Sequence, residues 1–288
     1  MREFKNVNYQ SNLIYIQMDV ITICNQHCWY CYARPESNPG NKWGQVMKFE
    51  NIKRMLDGVR MIKYNIILSL LGGEPTLHPR INEIIKYASE IPNIKKLELF
   101  TNGRKPLNLM PSPKLYVNFS FHPSQTDGKN IIQNALKLKK DNITFSISCL
   151  FEKETPRFYE FLEELKQNGL FQFAKIGIVD SHIPSRPLKV KIPKNETFQK
   201  INEKEFLLDG KSYSLDELRE QKLNCFYGWK CYKNCLKISV DGKISIMGGK
   251  NECLTFDEFK NYSVREDICS DFCCDDDNNL IHNRKILE

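Results

Sequence analysis

DVITICNQHCWYCY, running from Asp19 to Tyr32, is the stretch that decides the fold. Its cysteines, Cys24, Cys28 and Cys31, are spaced CxxxCxxC and follow a β-type run, Leu13 to Ile23, which places them on a loop at a strand end. Three thiolates on one short loop suit a cubane iron-sulfur cluster, leaving its fourth iron open to another ligand. Zinc is the alternative, since His27 lies inside the loop and a three-cysteine, one-histidine knot also closes a tetrahedron. The apolar strand before the triad, and Tyr30 immediately before its last cysteine, favour the cluster.

Outward from this loop the chain alternates. Glu36 to Gln45 is turn-rich. Phe49 to Ile62 has helical spacing at Ile52, Met55, Leu56 and Val59. Asn65 to Leu71 reads as a buried parallel strand ending in Gly72 and Gly73. A helix over Pro79 to Glu90 and a strand over Lys95 to Phe100 follow, the strand ending in Thr101, Asn102 and Gly103. Leu115 to Phe121, Ile143 to Leu150 and Ala174 to Val179 complete six strands. Helices over Lys129 to Lys140 and Phe158 to Asn168 lie between them, the second stopped by Gly169. Strands separated by helices describe a parallel α/β architecture, and spacing alone leaves an open doubly wound sheet and a partial barrel both available.

The 288 residues are 41% hydrophobic, enough for a sizeable core, and include 11 cysteines. No apolar run is long enough to cross a membrane, and the polar start MREFKNVNYQ lacks a signal-peptide core, so a cytoplasmic protein is expected. In that compartment so many cysteines indicate metal binding or catalysis rather than disulfides. The net charge of +7 does not imply a nucleic-acid partner, because ligating thiolates offset part of it.

The triad, written CxxxCx(aromatic)C, together with LLGGEPTLHP from Leu70 to Pro79, resembles the radical S-adenosylmethionine (SAM) enzymes. The resemblance implies a partial (β/α)6 barrel over residues 1–195. It also implies a 4Fe-4S cluster on Cys24, Cys28 and Cys31, with the amino and carboxylate groups of SAM on the open iron. One electron then cleaves SAM to a 5′-deoxyadenosyl radical that abstracts a hydrogen atom from the substrate. By the same resemblance Gly72, Gly73 and Glu74 receive the SAM ammonium, Asn102 and Ser120 hold its ribose or carboxylate, and Tyr30 and Ile178 line the adenine pocket. Bare turns are the alternative for the GGEP stretch and for Asn102, and His122 is either substrate-facing or structural. Cys149, closing the fifth strand, is either a hydrogen-atom donor to a substrate radical or a buried thiol.

Seven of the cysteines lie from Cys225 onward. Cys235, twelve residues, Gly248, four residues and Cys253 resemble the hairpin of SPASM and Twitch auxiliary-cluster domains, and Asp241-Gly242 is a strong turn signal inside it. With the CxxxC pair Cys269 and Cys273 they make four ligands for an auxiliary 4Fe-4S cluster. Cys274, Cys225 and Cys231 are substitutes, and zinc is the alternative metal. The expected arrangement is therefore a core over 1–195, a connection through Ser181 to Lys194 and an auxiliary domain over 196–288. The expected substrate is a peptide or a sugar-type small molecule, with a flavodoxin- or ferredoxin-type electron donor. RNA modification by the same chemistry, and a non-enzymatic zinc module binding nucleic acid, are the alternatives.

Overall fold

The computed structural model describes residues 3–6, 12–31, 33, 43–152, 155–178, 206–213, 217–218, 221, 223, 229–247, 252–268 and 284–285. A short strand β1 (Glu3–Asn6) precedes the first strand expected from sequence, β2 (Leu13–Ile21). Then come α1 (Phe49–Met61), β3 (Asn65–Gly72), α2 (Ile81–Ser89), β4 (Ile94–Thr101) and β5 (Leu115–Phe121). These are followed by α3 (Lys129–Lys140), β6 (Thr144–Phe151), α4 (Pro156–Gln167) and β7 (Ala174–Ile178). Strands β2 to β7 lie side by side in chain order, and every neighbouring pair is parallel.

Right-handed crossovers between strands laid down in one direction put all the connecting helices on one face. The burial pattern follows. Ile14, Ile16, Met18, Ile66, Leu68, Leu97, Val117, Phe119, Ile147 and Cys149 are sealed in the helix-covered core with Ile52, Leu56, Ile84, Ile131 and Phe161. Residues of the other parity face the helix-free side, where several of them pair as polar groups. Glu98 accepts from Ser69 at 2.9 Å and from Lys96 at 2.7 Å, and Ser146 donates to Asn118 at 2.8 Å. The sheet is thus an open, partial (β/α)6 barrel.

One crossover departs from the expected alternation. Between β4 and β5 the chain runs as a loop over 102–114 instead of a helix. Two asparagines from neighbouring helices hold it. Asn134 of α3 donates to Gly103 O and Lys105 O at 3.0 and 2.8 Å and accepts from Leu107 N at 2.8 Å. Asn82 of α2 donates to Asn108 O and accepts from Met110 N, each at 2.9 Å.

Beyond β7 the described elements are β8 (Phe206–Leu208), β9 (Lys211–Tyr213), β10 (Lys230–Lys233), β11 (Cys235–Ile238), β12 (Ile244–Ile246), β13 (Cys253–Leu254), α5 (Phe256–Lys260), β14 (Arg265–Ile268) and β15 (Arg284–Lys285). The hairpin turns at Gly242, with φ +83°, and Gly242 N donates to Ser239 O at 2.7 Å. Its first strand, β11, adds to the barrel sheet in parallel with β2, Cys235 opposite Tyr15 and Ile238 opposite Met18. Strands β12 and β13 extend the sheet to nine strands. Strands β14, β10, β15, β1, β8 and β9 form a second sheet in that order. The boundary at 195/196 and the connection from Ser181 to Lys194 lie outside the described residues. Among the described residues no helix is long and apolar enough to cross a membrane.

Candidate functional site

The cysteine loop leaves β2 at Ile21 and is gripped by the C-terminal ends of the next four strands. At the end of β3, Gly73 N donates to Ile21 O at 2.7 Å and Glu74 N to Ile23 O at 2.8 Å. This approach requires glycine. A Cβ on Gly72 (φ +126°) would stand 1.9 Å from Ile21 O, and one on Gly73 would stand 2.3 Å from Ile23 O. Asn102, beyond β4, donates through Nδ2 to Asn25 Oδ1 at 2.7 Å and reaches Cys24 Sγ at 3.7 Å. Arg104 donates to Asn25 O at 2.6 Å, and Gln125, beyond β5, accepts from His27 N at 2.8 Å.

Glu74 is 1% exposed. Its Oε1 accepts from Thr76 N at 3.1 Å, Thr76 Oγ1 at 2.5 Å and Thr101 Oγ1 at 2.7 Å, and its Oε2 accepts from Asn102 N at 2.7 Å. Burial pushes the carboxyl pKa up, and these donors oppose the rise. A carboxylate offers about four lone-pair positions, so the remaining capacity is on Oε2.

On the far side of the loop, Tyr30 OH lies 2.6 Å from His122 Nδ1 and donates to Glu152 Oε1 at 2.9 Å. His122 Nδ1 is also 3.5 Å from Cys28 Sγ, and the Tyr30 and His122 rings stack. Burial pulls the His122 pKa down to about 4, leaving a neutral imidazole at physiological pH. His122 is thereby packed against the loop. Glu152, 2% exposed just past β6, was not singled out in the sequence. Its one local signal is a carboxylate directly after a strand's C-terminal end, the edge where parallel barrels assemble sites.

Cys28 is buried, and Cys24 and Cys31 are half-buried. Burial first, then the neighbouring thiols Cys31 and Cys24, push the Cys28 pKa up to about 12. Burial also raises Cys24, with Glu74 and Cys31 adding to the rise. Cys24 and Cys28, thiols that burial keeps protonated, share the loop with Cys31, a soft donor set that a multinuclear cation would satisfy, so they fit a cluster. Among the described residues no three Cys, His, Asp or Glu side chains close round a single metal ion. His27 is exposed.

Ser120 is half-buried on the helix-free face of β5, in register with Ser148. Ile178 ends β7 opposite Phe151. Cys149 is fully buried and shares its face with Ile147 and Phe151, inside the helix-covered core. It therefore does not face the site, which corrects the hydrogen-atom donor expectation: Ser148 and Leu150, its neighbours, take the other face. Cys235 is buried with its thiol 3.4 Å from Met247 Sδ, and burial pushes its pKa up to about 12. Cys253 is exposed two strands away on β13. Cys235 is level with Tyr15, at the opposite end of β2 from the cysteine loop, about 20 Å of strand at ~3.3 Å per residue. Cys231 is on β10 opposite Asp267, and Cys225, Cys269, Cys273 and Cys274 lie outside the described residues.

The family model of the radical SAM superfamily matches residues 18–178. A 7,8-dihydro-6-hydroxymethylpterin dimethyltransferase from Methanocaldococcus jannaschii is 35% identical over 111 residues, covering 38% of this chain and 21% of that protein. A GTP 3',8-cyclase from Pelotomaculum thermopropionicum is 32% identical over 100 residues, covering 33% of this chain and 29% of that protein. The chain spans less than a third of the length of these curated relatives. The structure of Streptococcus suis SuiB bound to precursor peptide SuiA superposes with a TM-score of 0.55 at 14% identity, covering 88% of this chain and 66% of that one, a likeness of fold.

Proposed function

The chain belongs to the radical SAM superfamily, whose members use a 4Fe-4S cluster and SAM, and from that premise we propose how its own residues divide the work. Cys24, Cys28 and Cys31 hold the cluster. Bound together, cluster and SAM supply a 5′-deoxyadenosyl radical that takes a hydrogen atom from the substrate. Gly72 and Gly73 bring backbone close to the SAM ammonium, with Glu74 Oε2 as its anionic partner. Asn102 and Ser120 serve the ribose or carboxylate, and Tyr30 and Ile178 border the adenine.

The substrate lies on the helix-free face, which is lined by Asp19, Lys96, Glu98, Asn118, Ser146 and Lys237. These groups put hydrogen bonds and charge on a face that also carries Leu71, Phe100 and Leu150, and the polar groups support a polar substrate, a peptide or a sugar-type molecule. Cys235, Cys253, Cys269 and Cys273 hold one auxiliary 4Fe-4S cluster, and a flavodoxin- or ferredoxin-type protein supplies electrons. The observation that carries this reading is the convergence of four successive strand ends on one cysteine loop.

The test is iron and acid-labile sulfide after anaerobic reconstitution, with 5′-deoxyadenosine formation from SAM and a reductant. The expected result is about eight irons, falling to about four in a Cys24→Ala, Cys28→Ala, Cys31→Ala variant, with deoxyadenosine made only by the parent. About four falling to none would remove the auxiliary cluster. Iron-loaded parent protein that makes no deoxyadenosine would overturn the reading.

A further inference from the structure

Parallel register sorts the helix-free face into levels. Asp19 is opposite Leu71, Phe100 opposite Asn118 and Asn118 opposite Ser146, while Leu70 opposite Leu99 puts Leu71 beside Phe100. These residues form one level, directly beneath the one where β2 and β3 end at Ile21 and Gly72. The levels below it are closed by their own contacts. Glu98 accepts from Ser69 and Lys96, and the Lys96 ammonium stands over the Tyr116 ring at 4.0 Å.

The Asp19 level is polar at its two ends and apolar in the middle. Lys237, on β11 of the C-terminal hairpin, reaches Asp19 Oδ2 at 3.2 Å, and the two side chains are 33% and 15% exposed. Each spends on the other only part of its capacity, since an ammonium carries three donors and a carboxylate about four acceptor positions. At the far end Ser146 donates to Asn118 Oδ1 at 2.8 Å, and the Asn118 amide NH2 stays a donor. Half-buried Leu71 and Phe100 lie between.

The ion pair selects by its neutrality. A charged group drawn to one member is repelled by the other, 3.2 Å away. A trans peptide presents its N–H and its C=O on opposite sides, so one peptide group serves one member only. A hydroxyl does both at one atom, donating to Asp19 and accepting from Lys237. The apolar centre of the level then calls for carbon-bound hydrogens beside that hydroxyl, as on the face of a saturated ring.

We propose that the substrate is a neutral polyol ring, of sugar or cyclitol type, with one hydroxyl bridging Asp19 and Lys237, its C–H face on Leu71 and Phe100, and a further oxygen at Asn118. This deepens the reading above, from which it takes the helix-free face as the place of the substrate. It also gives the C-terminal hairpin a part in recognition, because Lys237 is its contribution.

The test is ligand-observed saturation-transfer NMR on the iron-free full chain. D-glucose and myo-inositol are the polyol probes, D-glucuronate the charged one and N-acetylalanine methylamide the peptide one. Transfer to a polyol in preference to the other two is the expected result. Lys237→Met, which keeps the alkyl stem, weakens polyol binding about tenfold, and Phe100→Leu weakens it about threefold. Tm is measured beside each; Phe100→Leu keeps apolar bulk in place and so reads the site even where Lys237→Met loosens the hairpin. Preference for the peptide or the charged probe, transfer to no probe, or polyol binding unmoved in both variants overturns the proposal. Deoxyadenosine formation by the reconstituted chain is a separate readout. A chain that makes deoxyadenosine but prefers the peptide probe overturns this proposal alone, whereas one that binds polyols through Lys237 and makes none sinks the radical reading and keeps the polyol site.

Discussion

The Asn102 backbone N–H donates to the Glu74 carboxylate at 2.7 Å, so one buried side chain ties the turn after β3 to the turn after β4. Glu74→Gln places an amide NH2 among donors and leaves at least one of Thr76, Thr101 and Asn102 unpaired in a buried site. The expected loss is about 1–3 kcal/mol. It is read as a lower Tm of the iron-free chain, and an unchanged Tm would show that the two turns hold without this carboxylate.

Gly72→Ala is a harsher change. Its Cβ would stand 1.9 Å from Ile21 O, a backbone atom, and its φ of +126° is one that side chains rarely adopt. Neither clash is relieved by a rotamer change. Roughly 3 kcal/mol or more is expected, together with failure to load iron at the triad, because the carbonyl displaced is where the cysteine loop starts. Normal iron content in this variant would mean that the loop does not depend on the glycine turn.

What was legible in the sequence follows the range of the interactions. The six strands and the glycine turn are local patterns: apolar runs ending in Gly72-Gly73 or Thr101-Asn102-Gly103. The missing helix between β4 and β5 had a local mark too, since Pro106, Pro111 and Pro113 interrupt any helical period there. Cys149 was legible by parity, for Phe145, Ile147 and Cys149 alternate with Ser146 and Ser148, yet its place at a strand end suggested the opposite face. Glu152 was not legible, because its partner Tyr30 is 122 residues away and no spacing encodes that distance. Strand β1 was hidden for the same reason, as its partners β8 and β15 come from the far end of the chain.

Cys149 and Cys253 should differ sharply toward iodoacetamide at mildly alkaline pH. Cys149 is fully buried, and burial pushes its pKa well above the ordinary thiol range, whereas Cys253 is exposed. In the iron-free folded chain Cys253 is alkylated quickly and Cys149 only after denaturant is added, as peptide mass spectrometry would show. Cys149→Ala should cost about 1–2 kcal/mol and leave deoxyadenosine formation intact. Labelling of both residues at one rate would return Cys149 to the list of site thiols.

Asn134 replaces with one side chain what a helix would have done for the β4–β5 crossover. Its amide is 4% exposed and joined to three backbone groups of that loop. Asn134→Leu strands those groups at a cost of about 2–4 kcal/mol. Hydrogen exchange at Leu107 should accelerate well before exchange in β4 does. Uniform acceleration across the sheet would instead place Asn134 in the global core.

Gly58 sits on α1 where α5 docks, and it sets two effects against each other. In an isolated helix Gly58→Ala would stabilise by roughly 1 kcal/mol through backbone entropy. Here the added Cβ would meet Phe256 Cε2 and Phe259 Cε1 at 2.9 Å. Phe259 is fully buried, so its ring has no free space to retreat into, while the half-buried Phe256 ring carries Arg54 over it at 4.6 Å. Overpacking of this kind costs about 1–3 kcal/mol, which outweighs the helix gain. Gly58→Ala should therefore lower Tm modestly and Gly58→Val more, with limited proteolysis speeding up near α5 in the same order. A Gly58→Ala chain more stable than its parent would show that α5 moves off α1 at little cost, and that the C-terminal hairpin is held to the barrel without the α1–α5 contact.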